Sequence, residues 1–168
     1  GPFDMLLSYQ NGVPALALLG ADESQVVWLE VLPAGTCVVL SLDADKAGQK
    51  RTRQLGARLM RAGIPVRVAL LPEGTDPAGF IPTLQDPTES WPAIIEAADP
   101  FPIWYLEKCV DKKKLNDEFE AYRVLKPLLE MLARSDKIYV ARMLPRLASV
   151  TRLEAGLLQD YIEEARLT

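Results

Sequence analysis

The 168-residue sequence predicts an α/β domain with a mainly parallel sheet, followed by a small all-α helical bundle. Three observations carry this. Up to about residue 80, short apolar runs alternate with helix-length segments, the order of strand–helix–strand units. Residues 72 to 102 then hold seven of the chain's 13 prolines, which breaks the alternation. Beyond Pro102 only helical periodicity remains.

Each element has a local reason. Phe3 to Gln10 is expected as a helix, with Asp4 near its positive end and Gly12 in the position that closes it. Val13 to Leu19 is a short apolar strand ending at Gly20. Asp22 to Leu32 is a helix with Val26, Val27, Leu29 and Val31 as core positions, and Pro33-Ala34-Gly35 is a turn. Thr36 to Leu42 lacks alternation, as a strand buried on both faces does. Lys46 to Ala62 is a long helix with Thr52, Leu55, Leu59 and Ala62 on one stripe, closed by Gly63. Val66 to Leu71 is the next strand. In the proline-rich stretch only a short helix at Pro92 to Ala97 is expected. Four helices follow: Ile103 to Val110, Asn116 to Ala133 bent at Pro127, Lys137 to Ser149 bent at Pro145, and Thr151 to Arg166. Thr151 and Glu154 have capping-box spacing.

Composition narrows the chemistry. Apolar residues make up 49% and charged residues 25%, an ordinary globular profile. No apolar run approaches the roughly 20 residues that span a bilayer, and no secretory leader pattern is present. Cys37 and Cys109 lack CxxC spacing and read as buried, reduced thiols, which fits a cytoplasmic setting. The chain has no histidine, which excludes His-based triads, His general bases and His-built zinc sites. Catalysis is left to carboxylates, Lys, hydroxyls or a bound metal.

The most informative stretch is Ser41-Leu42-Asp43-Ala44-Asp45-Lys46-Ala47-Gly48. In an extended strand end, Asp43 and Asp45 lie about 6.6 Å apart on the same face. Ligands bind at such strand ends in open α/β sheets, and a divalent cation relieves the repulsion between the two carboxylates. Oxygen-only ligands point to Mg²⁺ or Mn²⁺. The plainer reading is a polar turn in which Asp45 caps the next helix. Asp76, in Leu70-Leu71-Pro72-Glu73-Gly74-Thr75-Asp76-Pro77, follows another strand and can reach the same sheet edge; otherwise it is a turn residue. Asp4 is a third candidate, against simple stabilisation of the first helix. From Lys46 to Arg67 there are seven basic residues and no acid, despite a net charge of −4. Lys46, Lys50, Arg51 and Arg53, beside the acidic pair, suit the phosphates of nucleotides or nucleic acid, against a solvated face. Lys112-Lys113-Lys114 reads as a solvated loop. Trp28, Trp91, Trp104 and Tyr105 read as packing residues.

In order, "GPFDMLLSYQNGVPALALLGA", "VVLSLDADKAGQKRTRQLGARL" and "VRVALLPEGTDPAGFI" resemble the successive motifs of a Toprim domain, a Rossmann-like α/β fold. They are similar to the version found in bacterial DnaG-type DNA primases, where the acidic pair reads D-x-D-x-A-G. Ala47 stands where topoisomerase and recombination-protein Toprims carry Glu. It also departs from aspartyl phosphatases, which want Thr or Val two residues after the second Asp. The resemblance implies residues 1–80 as the Toprim domain, 81–102 as a proline-rich joint and 103–168 as the helical subdomain.

The resemblance also implies a Mg²⁺- or Mn²⁺-dependent nucleotidyltransferase of DNA replication, making RNA primers on a template. By motif position, Asp43, Asp45 and Asp4 match catalytic acids, and Asp43, Asp45 and Asp76 match metal ligands. In the full-length protein the implied partners are a single-stranded DNA template and ribonucleoside triphosphates, with a replicative helicase as a further candidate and no membrane. Two departures matter. The family's first strand ends in a Glu directly before the glycine matching Gly1, and the sequence opens at that glycine. Gly1-Pro2 fits either a native segment or a tag-cleavage scar. Ala78 stands where many primases carry another acid. The zinc-binding module and the basic half of the core do not appear in the sequence. The expectation is therefore a fragment that makes no primers alone. The alternatives are a degenerate Toprim module that only binds nucleic acid or protein, and another D-x-D phosphotransfer or nuclease domain.

Overall fold

The computed structural model describes residues 1–18, 32–33 and 35–167. In chain order its elements are α1 (Pro2–Gln10), β1 (Val38–Leu40), α2 (Lys46–Arg61), β2 (Val66–Val68), α3 (Pro77–Phe80), a 3₁₀ turn (Ile81–Thr83), α4 (Pro87–Glu96), β3 (Asp99–Pro100), α5 (Phe101–Cys109), a second 3₁₀ turn (Lys112–Asn116), α6 (Glu118–Ala133), α7 (Lys137–Thr151) and α8 (Ala155–Arg166). The strands form one small mixed sheet in the order β1-β2-β3, which with the helices that follow agrees with the expected α/β domain and helical bundle. The chain divides into two compact units: Gly1–Thr52 with Val68–Ala98, and Arg53–Arg67 with Asp99–Thr168.

In the first unit, α1 ends as its sequence dictates. Gly12 takes φ +81°, the Gly12 N–H bonds to Tyr9 O, and the Val13 N–H bonds to Ser8 O, so the last carbonyls are satisfied. Val13 to Leu18 alternates between half-buried and exposed but forms no strand. Pro14 has no N–H to give to a ladder, which weakens the apolar signal there. The expected helix over Asp22–Leu32, with its four valine and leucine core positions and Trp28, falls on residues 19–31 and so outside the described residues, apart from Leu32. The strands expected over Thr36–Leu42 and Val66–Leu71 shorten to three residues each, and the Ala69 N–H reaches Leu40 O at 2.9 Å.

The proline-rich stretch carries more helix than the single one expected at Pro92 to Ala97. Pro77, Pro82 and Pro87 each sit in the first turn of a helix, where the missing N–H leaves no gap in the hydrogen bonding. Asp76 and Asp86 cap the helices that follow them. Leu40, Val68, Ala69, Ile81, Trp91 and Ala98 are buried, and Trp91 Nε1 donates to Ser8 Oγ at 2.9 Å inside that core.

The second unit is built on helical periodicity. α2 closes at Gly63 (φ +78°) with the Gly63 N–H on Met60 O and the Ile64 N–H on Leu59 O. α6 buries Ala121, Leu125, Leu128, Leu129 and Leu132, and α7 buries Val140, Leu144, Leu147 and Thr151, both runs of i, i+4, i+7 spacing. α6 and α7 each pack against α8, and α7 also packs against α5. Both helices run through their prolines, Pro127 and Pro145.

Thr151 is not a cap. Its hydroxyl turns back onto Leu147 O at 2.7 Å, and the chain breaks one residue later at Arg152 (φ +61°), so α8 starts at Ala155. Neither cysteine is in a disulfide. Cys37 is exposed and Cys109 half-buried, where both were expected to be buried. On α2 the expected stripe is buried at Thr52 and Leu59, half-buried at Leu55 and exposed at Ala62.

Candidate metal centre

The first unit links the three acid-bearing segments, two of them backbone to backbone and the third through a side chain. The Ala44 N–H donates to Thr75 O at 2.8 Å and the Gly74 N–H donates to Ala44 O at 3.0 Å. This reciprocal pair ties the loop of Asp43 and Asp45 to the loop of Asp76. From a third direction Asp4, on α1, accepts the Ala78 N–H at 2.9 Å through Oδ1. Its Oδ2 takes the amino group of Gly1. Both Asp4 oxygens are thus engaged, and the side chain is 19% exposed.

The other acids differ from Asp4 and from one another. Asp45 Oδ1 accepts the Gly48 N–H at 2.6 Å, the capping bond expected of the plainer reading. Asp76 Oδ1 accepts the Gly79 N–H at 2.6 Å in the same way. Each therefore keeps one oxygen outside its cap. Asp43 makes no hydrogen bond or ion pair among the described residues. All three are exposed. Capping and metal binding are compatible for a carboxylate, because the cap pins one oxygen and holds the other in a fixed direction.

Gly48 is the residue whose importance was not read from the motif beyond its family pattern. A Cβ at this position would lie 1.9 Å from Asp43 O. Any side chain would push the start of α2 away from the Asp43 backbone. The physical signal was present in the sequence as a glycine three residues past Asp45, inside the first turn of a helix that otherwise has good helix formers.

In kind, these donors fit a hard divalent cation: oxygen only, exposed, and carried on loops bonded to each other. In number they are few. Among the described residues no group of three or more Asp, Glu, Cys or His is close enough to hold a metal. Mg²⁺ commonly keeps several waters and takes only one or two carboxylates beside substrate phosphates, so the fit is to that kind of site and not to a closed protein cage.

The predicted phosphate-facing cations lie at the start and middle of α2. Lys46, Lys50, Arg51 and Arg53 are all exposed, and none is in an ion pair among the described residues. Lys112 and Lys113 are exposed, and Lys114 sits 3.7 Å from Glu120. Trp91 and Trp104 are buried as expected, and Tyr105 is half-buried.

Comparison with known proteins shows what the chain is similar to. Residues 1–81 match the model of a family described as Toprim-like. A DNA primase of Myxococcus xanthus is 33% identical over 102 residues, 60% of this chain and 16% of that protein. A DNA primase of Clostridium acetobutylicum is 23% identical over 125 residues, 74% of this chain and 21% of that protein. Among solved structures, a DNA primase domain from Pseudomonas aeruginosa superposes with TM-score 0.63 at 18% identity, over 96% of this chain and 52% of that one. A DnaG catalytic core gives TM-score 0.63 at 20% identity, over 94% of this chain and 52% of that one. The chain thus spans about a fifth or less of the curated relatives it matches and about half of the solved chains. Residues 1–81 thus carry a Toprim-like domain similar to that of DnaG-type primases, and a helical subdomain follows them.

Proposed function

We propose that this chain is the metal-binding Toprim part of a DNA primase core and supports template-directed RNA primer synthesis in the whole protein. The observation that carries the reading is the reciprocal backbone pairing of Ala44 with Gly74 and Thr75, which holds two acid-bearing loops side by side. Asp43 and Asp45 are the proposed holders of a Mg²⁺ or Mn²⁺ ion, with Asp76 on the neighbouring loop. When bound, the ion supplies neutralising charge at a phosphoryl group. Lys46, Lys50 and Arg51 draw the phosphates of nucleotide or template to this end of the unit, and Arg53, which follows them on α2 in the second unit, is a further phosphate-binding candidate. Asp4 keeps α1 and α3 together, and through α3 steadies the loop of Asp76.

The template DNA, the ribonucleotides, a helicase partner and a cytoplasmic setting belong to the same proposal. No helix among the described residues is long and apolar enough to cross a membrane.

The test is template-dependent primer synthesis. The chain alone is expected to make no primers, and Asp43→Asn or Asp45→Asn in the full-length protein is expected to abolish synthesis. Robust synthesis by this chain alone, or full activity of both variants, contradicts the proposal. A second reading, a Toprim module that only binds partners, is favoured by the small number of gathered donors. It predicts no Asp43-dependent metal binding.

A further inference from the structure

In the second unit, α2 and α5 meet at Gly56, whose missing side chain admits the Phe101 ring. A Cβ there would lie 2.1 Å from Phe101 Cε2. Arg53 precedes the contact and Arg61 follows it, about 12 Å apart along the helix axis. Both are exposed. One turn after Phe101 comes Tyr105, half-buried, its ring 5.9 Å from that of Phe101 and tilted by 51°.

Both guanidinium groups lie close enough to the Tyr105 hydroxyl to act on it electrostatically, and Arg53 acts on the Cys109 thiol as well. Among the described residues the other ionisable group acting on Tyr105 is Cys109. α2 contains no acid, and Glu107, the acid of α5, lies about 200° round that helix from Tyr105. Lys108 adds an exposed cation on the Tyr105 side. Among the described residues neither arginine is in an ion pair, and the Tyr105 hydroxyl has no hydrogen-bond partner.

The result is a set of donors and one aromatic ring with no ion-pair partner for either arginine among the described residues. Guanidinium groups match phosphate oxygens in pairs, and an aromatic ring supports an unstacked base whatever its identity. A free phosphate would use the cations and leave the ring idle. We propose that Arg53, Arg61 and Tyr105 form a contact site for single-stranded nucleic acid, the arginines on phosphates of one strand and a base against Tyr105. The inference rests on the primase reading and concerns the second unit by itself.

The test uses the whole chain and fluorescence anisotropy of a labelled oligodeoxythymidylate over a range of salt. Arg53→Ala with Arg61→Ala is expected to weaken binding about tenfold or more, and to flatten the log–log salt slope by about 1.4, two phosphate contacts on a single strand. Tyr105→Leu is expected to weaken binding roughly tenfold with the slope unchanged, as loss of stacking does. Glu107→Gln, on the other side of α5, should stay within about twofold of the parent, and thermal melts confirm that each variant is folded. An unchanged affinity and slope in the double arginine variant overturns the inference, as does failure of the parent chain to bind the oligonucleotide at low salt. Displacement of the oligonucleotide by ATP at matched phosphate concentration overturns the choice of ligand. Mn²⁺ binding measured on the same proteins separates the two ideas. Asp43-dependent Mn²⁺ binding without an arginine effect sinks this inference alone. Arginine-dependent DNA binding without Asp43-dependent Mn²⁺ binding upholds the contact site and sinks the primase reading.

Discussion

Ala78 donates its backbone N–H to Asp4 Oδ1 at 2.9 Å and so joins the start of α3 to α1 across 74 residues of chain. A hydrogen bond onto a partly buried carboxylate contributes more than a neutral one, about 2 kcal/mol. Asp4→Ala is therefore expected to lower stability by about that amount in urea denaturation. Asp4→Asn keeps an acceptor oxygen and should lose clearly less. Equal losses in the two variants would show that charge, not this bond, is what Asp4 provides.

Gly48→Ala tests the close approach of α2 to the Asp43 backbone. A Cβ 1.9 Å from a carbonyl oxygen cannot be accommodated by a side-chain rotation. The substitution is expected to cost about 3 kcal/mol, although alanine is normally the better helix former. A variant as stable as the parent by thermal melting would mean that the loop moves freely, and would remove the basis for a fixed Asp43.

The Trp91–Ser8 bond tests the core of the first unit. Ser8→Ala leaves the buried indole N–H without an acceptor, at an expected cost of about 1–3 kcal/mol. Adding Trp91→Phe removes the orphaned donor along with its partner, so the double variant should lose less than the sum of the single losses. Strict additivity in chemical denaturation would contradict this.

Acid stability tests the cap of α4. The Thr88 hydroxyl first, and the Glu89 amide next, hold the Asp86 carboxyl below its ordinary range. Because the folded value is depressed, this stabilisation is complete above the unfolded value and is lost as pH falls through the folded one. Asp86→Asn should flatten the fall in melting temperature below about pH 4 and leave its neutral-pH dependence alone. An unchanged acid limb would assign that fall to other carboxylates.

Much of this architecture is legible in the sequence, and the reasons are local. Gly12 and Gly63 close their helices because left-handed backbone favours glycine. The leucine spacing of α6 and α7 shows their buried faces directly. The capping role of Asp45 was visible as the plainer reading of its motif. What escaped has two sources, local signals with more than one outcome and partners distant in sequence. Thr151 has the spacing of a cap, yet its hydroxyl bonds backward because the chain turns at Arg152. Val13 to Leu18 has strand-like alternation but forms no strand. The prolines of residues 72 to 102 look like breakers, but four of them, Pro77, Pro82, Pro87 and Pro102, sit in the first turn of a helix. At the site, the pairing of Ala44 with Gly74 and Thr75 is backbone to backbone and leaves no residue signature. Tyr105 read as packing because its two arginine neighbours come from a helix more than 40 residues earlier.

The most direct test of the central claim is a Mn²⁺ titration of this chain followed by electron paramagnetic resonance, with Asp43→Asn and Asp45→Asn beside the parent. With few gathered carboxylates the site is expected to be weak, with a Kd on the order of 10⁻⁴ to 10⁻³ M. Each substitution should weaken it about tenfold or more, a change of roughly 1.4 kcal/mol. Parent and variants with the same Mn²⁺ binding, or a parent with none, would contradict the reading of these loops as a metal centre.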